Sequence, residues 1–248
     1  MTRLTTSIAR LCGSLFLILL PAIPVQAINF NGFLQNSAGD PLQGITAFHQ
    51  EVPAHFSNPS GTDGGFTVPD IPAGVDFHLK FDDTNTTPTY ADGYSRIFNR
   101  SSDTTASAFV FTLSTPAEIA EWYSKSNPPV TQNPNGGTIR GRVIDFRTGS
   151  PLVGAVITFT SAQGMAYPVY YYNATLDEYL PRPQGTFANG RYHIFNVSDG
   201  DIVTVAASKP GWIFPPITFQ THSGTLNVSV GTFNGSQQLL HLPLILKQ

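Results

Sequence analysis

The chain carries the same pattern twice, and this duplication limits its fold more than any other feature. Residues 31–48, NGFLQNSAGDPLQGITAF, are followed by residues 61–81, GTDGGFTVPDIPAGVDFHLKF. Residues 140–159, RGRVIDFRTGSPLVGAVITF, are followed in the same order by residues 185–207, GTFANGRYHIFNVSDGDIVTVAA. Two phrases repeated in fixed order mark a duplicated structural unit. In each copy a turn cluster, Ala38-Gly39-Asp40-Pro41 or Thr148-Gly149-Ser150-Pro151, leads through a leucine and Gly44 or Gly154 into an apolar run. Phe66 and Val68, like Tyr192 and Ile194, alternate with polar neighbours, so each pair shares one strand face while Thr67 or His193 takes the other.

Each unit also closes on a strand. Phe109, Phe111 and Leu113 share a face at the end of the first; Leu240, Leu242, Leu244 and Leu246 do so at the end of the second, where Pro243, lacking an N–H, belongs at a sheet edge or bulge. Short strands separated by turns, in a chain with 22 Gly and 20 Pro, predict an all-β fold of two tandem antiparallel β-sandwiches. Between them, Thr115-Pro116-Ala117-Glu118 reads as an N-cap, an N1 proline and a capping-box glutamate. The short helix they open should run to about Ser126 and pack through Ile119, Trp122 and Tyr123. NPPVTQNPNGG, residues 127–137, then reads as a linker. The expected division is a first sandwich at 28–114, helix and linker at 115–136, and a second sandwich at 137–248.

These motifs resemble a known family. Gly141, Val143, Pro151-Leu152, Gly154-Ala155, Gly190, Tyr192, Ile194, Val197, Gly200 and Lys209-Pro210-Gly211-Trp212 in the second unit are similar to the pattern of carboxypeptidase regulatory-like domains, which are transthyretin-like sandwiches. The first unit matches through Gly32, Pro41-Leu42, Gly44, Thr62-Asp63, Gly64, Phe66, Val68, Ile71 and Gly74. The resemblance implies a transthyretin-like, carbohydrate-binding-like fold and accessory, adhesive or carbohydrate-binding modules that do no catalysis and carry no cofactor. Every residue that carries it is a turn or core position, so it informs fold more than function.

The first 27 residues read as a secretory signal: Arg3 and Arg10 form a basic start, Leu11 to Leu20 an apolar core too short to span a bilayer, and Val25-Gln26-Ala27 a small-residue cleavage site. An exported protein, periplasmic, at the cell surface or extracellular, is expected. The single cysteine, Cys12, lies in that segment, so the exported part has no disulfide and must be stabilised by packing. Removing Arg3 and Arg10 leaves 11 Lys and Arg against 16 Asp and Glu, a net charge of −5. That sign argues against nucleic acid and against an anionic membrane surface as partners, and no membrane insertion is expected once the signal is gone.

The usual linear signatures of hydrolases, zinc peptidases and nucleotide-binding proteins are missing from the sequence. Tyr170, Tyr172, His193 and His222 supply the residue types of a dioxygenase iron site, but with no spacing motif. His49 and His55 flank a loop and offer transition-metal donors, though surface histidines are commoner. Asp82, Asp83, Asn85 and Asp92 offer oxygen donors for calcium without the spacing of a calcium loop. No metal ligand is therefore assigned.

What remains is an insert. Residues 161–184, SAQGMAYPVYYYNATLDEYLPRPQ, exceed their counterpart at 50–60 in the first unit and contain YPVYYYN. Loops grafted on rigid sandwiches are where function is added, and tyrosine offers a flat apolar ring with a polar tip. The expected activity is binding or adhesion, with a polysaccharide stacked on Tyr167, Tyr170, Tyr172, Tyr179 or Trp212. Two alternatives stand beside it: a structural spacer that binds envelope proteins, and an unrecognised metal-dependent enzyme. Alternation supplies a plainer account of the insert, in which Tyr170 and Tyr172 share a strand face opposite Val169 and Tyr171 and one pair is buried.

Overall fold

A computed structural model describes residues 26–105, 109–222 and 228–237, the last segment as backbone. Residues 1–25 of the expected signal (1–27) and the expected leucine strand at 240–246 lie outside the described residues. In the first unit the strands are β1 (Ala27–Gln35), β2 (Ile45–His49), β3 (Gly65–Pro72), β4 (Asp76–Phe77), β5 (Leu79–Asp83), β6 (Gly93–Tyr94), β7 (Phe98–Asn99) and β8 (Val110–Thr112). A helix, α1 (Pro116–Ser124), follows. The second unit holds β9 (Gly136–Asp145), β10 (Val156–Ser161), β11 (Val169–Asn173), β12 (Glu178–Leu180), β13 (Arg191–Ser198), β14 (Ile202–Ser208), β15 (Trp212–Ile213), β16 (Ile217–Gln220) and β17 (Val228–Gln237). Among the described residues the fold is all-β apart from α1.

The two units share one topology. In the first, β3-β1-β8 forms one sheet, with β1 antiparallel to β3 and parallel to β8, and β2-β5-β6 runs consecutively in the other. In the second, β13-β9-β17 repeats the antiparallel and parallel pairings, and β10-β14-β16 repeats the second layer. Each pair of layers encloses its own core. Phe30, Phe66, Phe77, Phe81, Phe98 and Phe111 dominate the first; Ile139, Val143, Tyr171, Tyr192, Ile194, Val203, Val205 and Phe219 fill the second. Phe81 meets Phe111 across the layers with ring centroids 4.7 Å apart, the geometry of a packed aromatic pair.

The duplication extends to single atoms. Gly64 and Gly190 adopt left-handed φ of 78° and 67°. A β-carbon on either would lie 2.3 Å from the Leu34 carbonyl oxygen or 2.5 Å from that of Val143. At both places the strand passes too close for any other residue. Ser60 and Thr186, both buried, then play one part: each hydroxyl donates to a leucine carbonyl, Leu42 or Leu152, at 2.6 Å, and accepts the N–H of Ile45 or Ala155. Six residues beyond each glycine, Asp70 and Asn196 take φ of 59° and 55°. They sit where the registers of β3 against β1 and of β13 against β9 slip, so each copy carries a bulge at the same point.

α1 forms as the sequence dictates. Glu118 N–H donates to the Thr115 hydroxyl at 3.1 Å, and Thr115 N–H donates to the Glu118 carboxylate at 2.8 Å, closing the capping box. The helix ends at Ser124 rather than Ser126. The segment read as a linker is tied down: Val130 N–H donates to Ser126 Oγ, and Asn196 reaches Thr131 and Asn133 from β13 through both ends of its amide.

Two features depart from a simple tandem pair. β17 pairs in parallel with β9 on one side and with β6 of the first unit on the other, so one sheet, β12-β11-β13-β9-β17-β6-β5-β2, runs through both units. The insert builds β11 and β12, a hairpin that extends this sheet from the edge of β13. α1 then covers its outer face, burying Ile119 and Tyr123 against Tyr170, Tyr179 and Phe195. Among the described residues no helix is long and apolar enough to cross a membrane.

Candidate functional site

The tyrosine run resolves by alternation. Tyr171, with Tyr167 and Val169, faces the sandwich core, where the Ile157 N–H donates to the Tyr171 hydroxyl at 2.8 Å and the Tyr167 hydroxyl donates to Asp201 at 2.8 Å. Tyr170 and Tyr172 share the opposite face, under α1. Neither face is open in full, because helix and sandwich each cover one side. Tyr170, Tyr179 and Tyr167 are only 3%, 4% and 8% exposed, so their rings present no free face to a stacked sugar. Of the five residues read as a ligand platform, Tyr172 and Trp212 alone are half-buried. Trp212 lies on β15 and stacks near Phe214 at 6.4 Å, remote in the chain from the hairpin.

The outer face of this sheet carries a different chemistry at its open end. On β9, Ile139 and Val143 point into the core, which turns Arg140 and Arg142 outward. On β13, buried Tyr192 and Ile194 likewise turn Arg191 and His193 outward. The register sets Arg191 opposite Arg142 and His193 opposite Arg140, two cross-strand pairs of basic residues. Like charges placed directly opposite are unfavourable. Trp122, Glu118 and Glu121 of α1 and Lys125 at its C-cap wall one side, Tyr172 and Tyr179 the back, and Gln35, Val110 and Thr112 of the first unit the other side. The result is a cleft of about 460 Å³ between the units.

Aromatic rings hold the guanidinium groups. Arg140 lies 5.1 Å over the Trp122 ring and donates to Ser114 Oγ at 2.6 Å; Arg191 lies 5.8 Å over Tyr172. Arg142 donates to the Asn189 carbonyl at 2.9 Å. Among the described residues none of the three is ion-paired with a carboxylate. The acids nearby are committed elsewhere: Glu118 to the helix cap, and Glu121 and Asp177 both to Lys125. Burial, and then Arg191, bring Arg140 down to about 10. His193 is 2% exposed, stacked at 4.6 Å on Tyr179 and held neutral by burial and by Arg140 and Arg191; its Nδ1 has no hydrogen-bond partner.

The other candidates separate. His222 does not join Tyr170, Tyr172 and His193: it pairs with His78 of the first unit, Nε2 to Nε2 at 2.8 Å, and stacks on Tyr94 at 4.1 Å. The four dioxygenase-type residues therefore do not converge on one site. His49 Nδ1 accepts the Val52 N–H at 3.1 Å, and its ring lies 6.0 Å from that of His55. Asp83 is the organiser of its own loop, accepting from Asn85, Thr89 and Tyr90 backbone N–H groups, and Asp82 and Asp92 both pair with Lys80. No group of three or more His, Cys, Asp or Glu is placed to hold a metal among the described residues.

The arginines of the cleft were not singled out from the sequence. Their spacing, Arg140 and Arg142 two apart in a strand, gives a shared face, but the juxtaposition with Arg191 depends on the β9–β13 register.

No protein-family model matches the chain, and no curated protein sequence matches it. Among solved structures it is similar to the Bacillus anthracis TIE protein, at 10% identity over 85% of this chain and 34% of that one, TM-score 0.29. It is similar to the shaft pilin SpaA from Lactobacillus rhamnosus GG, at 12% identity over 88% of this chain and 99% of that one, TM-score 0.30. It is also similar to GBS52, the minor pilin of Streptococcus agalactiae, at 9% identity over 89% and 100% of the two chains, TM-score 0.30. The chain spans about a third of the length of the TIE protein.

Proposed function

We propose that this protein is an exported, non-catalytic binding module built from two carboxypeptidase regulatory-like sandwiches, with its ligand seat in the cleft between them. One observation carries the reading: α1, the β11–β12 hairpin and the first unit together enclose a recess lined with hydrogen-bond donors and aromatic rings. A volume of about 460 Å³ lies within the range of small-ligand sites. His193, one of the titratable groups of the cleft, is neutral and buried against rings, which suits orientation of a ligand better than proton transfer. Saccharide is the ligand class, met by Trp122 and Tyr172 rather than by the buried tyrosines. Glycan arrays and affinity gels test this: binding should be retained in Trp212→Ala and weakened at least tenfold in Trp122→Ala. Equal binding by Trp122→Ala, in protein that melts as wild type, would move the seat elsewhere.

A second reading has its own support. The shared sheet couples the two units through backbone pairing, as a rigid spacer requires. An absence of glycan binding together with a protein partner recovered by crosslinking on the exported protein would favour it.

A further inference from the structure

We infer that the cleft selects an acidic saccharide, with Arg140 and Arg191 gripping its carboxylate; this rests on the binding reading above and names the ligand class of the same seat. Three independent features lead there. Arg140, Arg142 and Arg191 converge from adjacent strands in a chain whose net charge is negative, and none is ion-paired with a carboxylate among the described residues. Cations packed side by side without a directly ion-paired carboxylate are held there at a cost, which an anion would relieve; Glu118 and Glu121, also in the lining, are engaged by the helix cap and by Lys125. Two guanidinium groups are pre-positioned over rings, 5.1 Å from Trp122 and 5.8 Å from Tyr172. Arginine held in this way meets a planar carboxylate with two parallel hydrogen bonds. Lastly, His193 lines the recess at 2% exposure with an unpartnered Nδ1, a polar atom whose desolvation nothing in the protein offsets.

The shape of the site favours a sugar over an acidic peptide. The cleft opens on the face of the sheet, and its floor strands β9 and β13 are both paired on either side. An extended peptide therefore finds no free edge on that floor, and the edge strands at the walls, β8 and β12, offer only three residues each for a backbone ladder. A pyranose carboxylate instead asks for what is present: a charged pair, hydroxyl and amide groups at Thr112 and Gln35, and a recess of about 460 Å³.

The test uses the exported protein and four probes by calorimetry: trigalacturonate, its neutral methyl ester, dextran sulfate and a poly-glutamate peptide. Trigalacturonate should bind at least tenfold more tightly than the ester, and its affinity should fall with added salt. Arg191→Gln should cost at least tenfold, while Lys209→Gln, just before β15 and outside the cleft lining, should cost nothing. Arg191 is itself exposed at the strand start, so this variant is expected to fold, which thermal melting checks. Equal affinity for acid and ester would overturn the acidic selectivity and leave the saccharide reading intact. Preference for dextran sulfate would reassign the anion to sulfate, and preference for poly-glutamate would reassign the seat to a protein. Binding of none of the four, with neutral glycans also inert on arrays, would sink the binding reading itself.

Discussion

Gly64 and Gly190 are the residues on which each sandwich turns from loop into strand. Both lie at positive φ, with the Leu34 or Val143 carbonyl oxygen where a β-carbon would stand and a proline, Pro41 or Pro151, a further contact at 3.2 Å. Gly64→Ala and Gly190→Ala are each expected to lower stability by about 3 kcal/mol, because backbone strain and a steric clash act together. Gly149→Ala, also at positive φ but with nothing within 4 Å, isolates the strain alone and should cost about 1 kcal/mol. Urea denaturation of the three variants measures the difference, and equal costs would mean that the strands move apart freely. The glycines were legible because a repeat exposes what both copies keep. The bulge residues Asp70 and Asn196 were not: nothing in an Asp or Asn announces a left-handed backbone until the strand opposite is seen to slip. Tyr170 and Tyr172 fall between these cases. Their shared face followed from alternation, but the helix lying over that face is a tertiary contact between residues about fifty apart.

At the scale of elements, the seam between β5 and the segment after β16 is built from groups that acid will charge. His222 is held down to about 4 by burial and then by its neighbour His78, with Glu51 and Asp199 pulling the other way and Lys80 adding to the depression. Burial also lowers His49, which faces Glu51, His55 and His78. Both rings are neutral in the fold and take a proton in the unfolded chain near pH 6.5. Between pH 6.5 and about 4 the unfolded state therefore binds more protons, and stability falls as pH falls through that window. A tenfold difference in proton affinity between the folded and unfolded chain is worth roughly 1.4 kcal/mol. With the partly exposed ring discounted for solvent screening, a loss of about 2 kcal/mol is expected by pH 4.5. The paired rings 2.8 Å apart cannot both be donors, so this contact between the units survives one added proton on the pair but not two. The loss corresponds to a fall in Tm of about 4–8 °C, which His222→Gln should reduce. A Tm unchanged from pH 7.5 to 4.5 would contradict the assignment. The capping box of α1 was readable four residues at a time, whereas this seam joins residues 144 positions apart and left no local trace.

The molecule as a whole is joined at β17. Residue 229 pairs with Ile139 of the second unit and with Tyr94 of the first, so one strand closes one sandwich and extends a sheet of the other. Further ties run alongside it: Ile97 N–H donates to the Thr218 carbonyl at 2.8 Å, and Arg140 donates to Ser114 at 2.6 Å. These make a mechanical prediction that two sandwiches on a string would not share. The protein should unfold in one calorimetric transition, with van't Hoff and measured enthalpies in agreement, since β17 ties a sheet of each unit to the other. Ser229→Pro puts a residue without an N–H on a strand paired on both sides, where proline is not accommodated. The substitution leaves a ladder group unpaired, which should cost about 1–3 kcal/mol, and split the single transition into two. Because the cleft proposed to hold the acidic saccharide is walled by β1 and β8 of one unit and by β9 and β13 of the other, the same variant should weaken trigalacturonate binding even though residue 229 lines no part of the cleft. Two well-separated transitions in the unmodified protein would show instead that the units fold independently. In that case the cleft would be held by α1 and its contacts alone, and Ser229→Pro should leave binding unchanged.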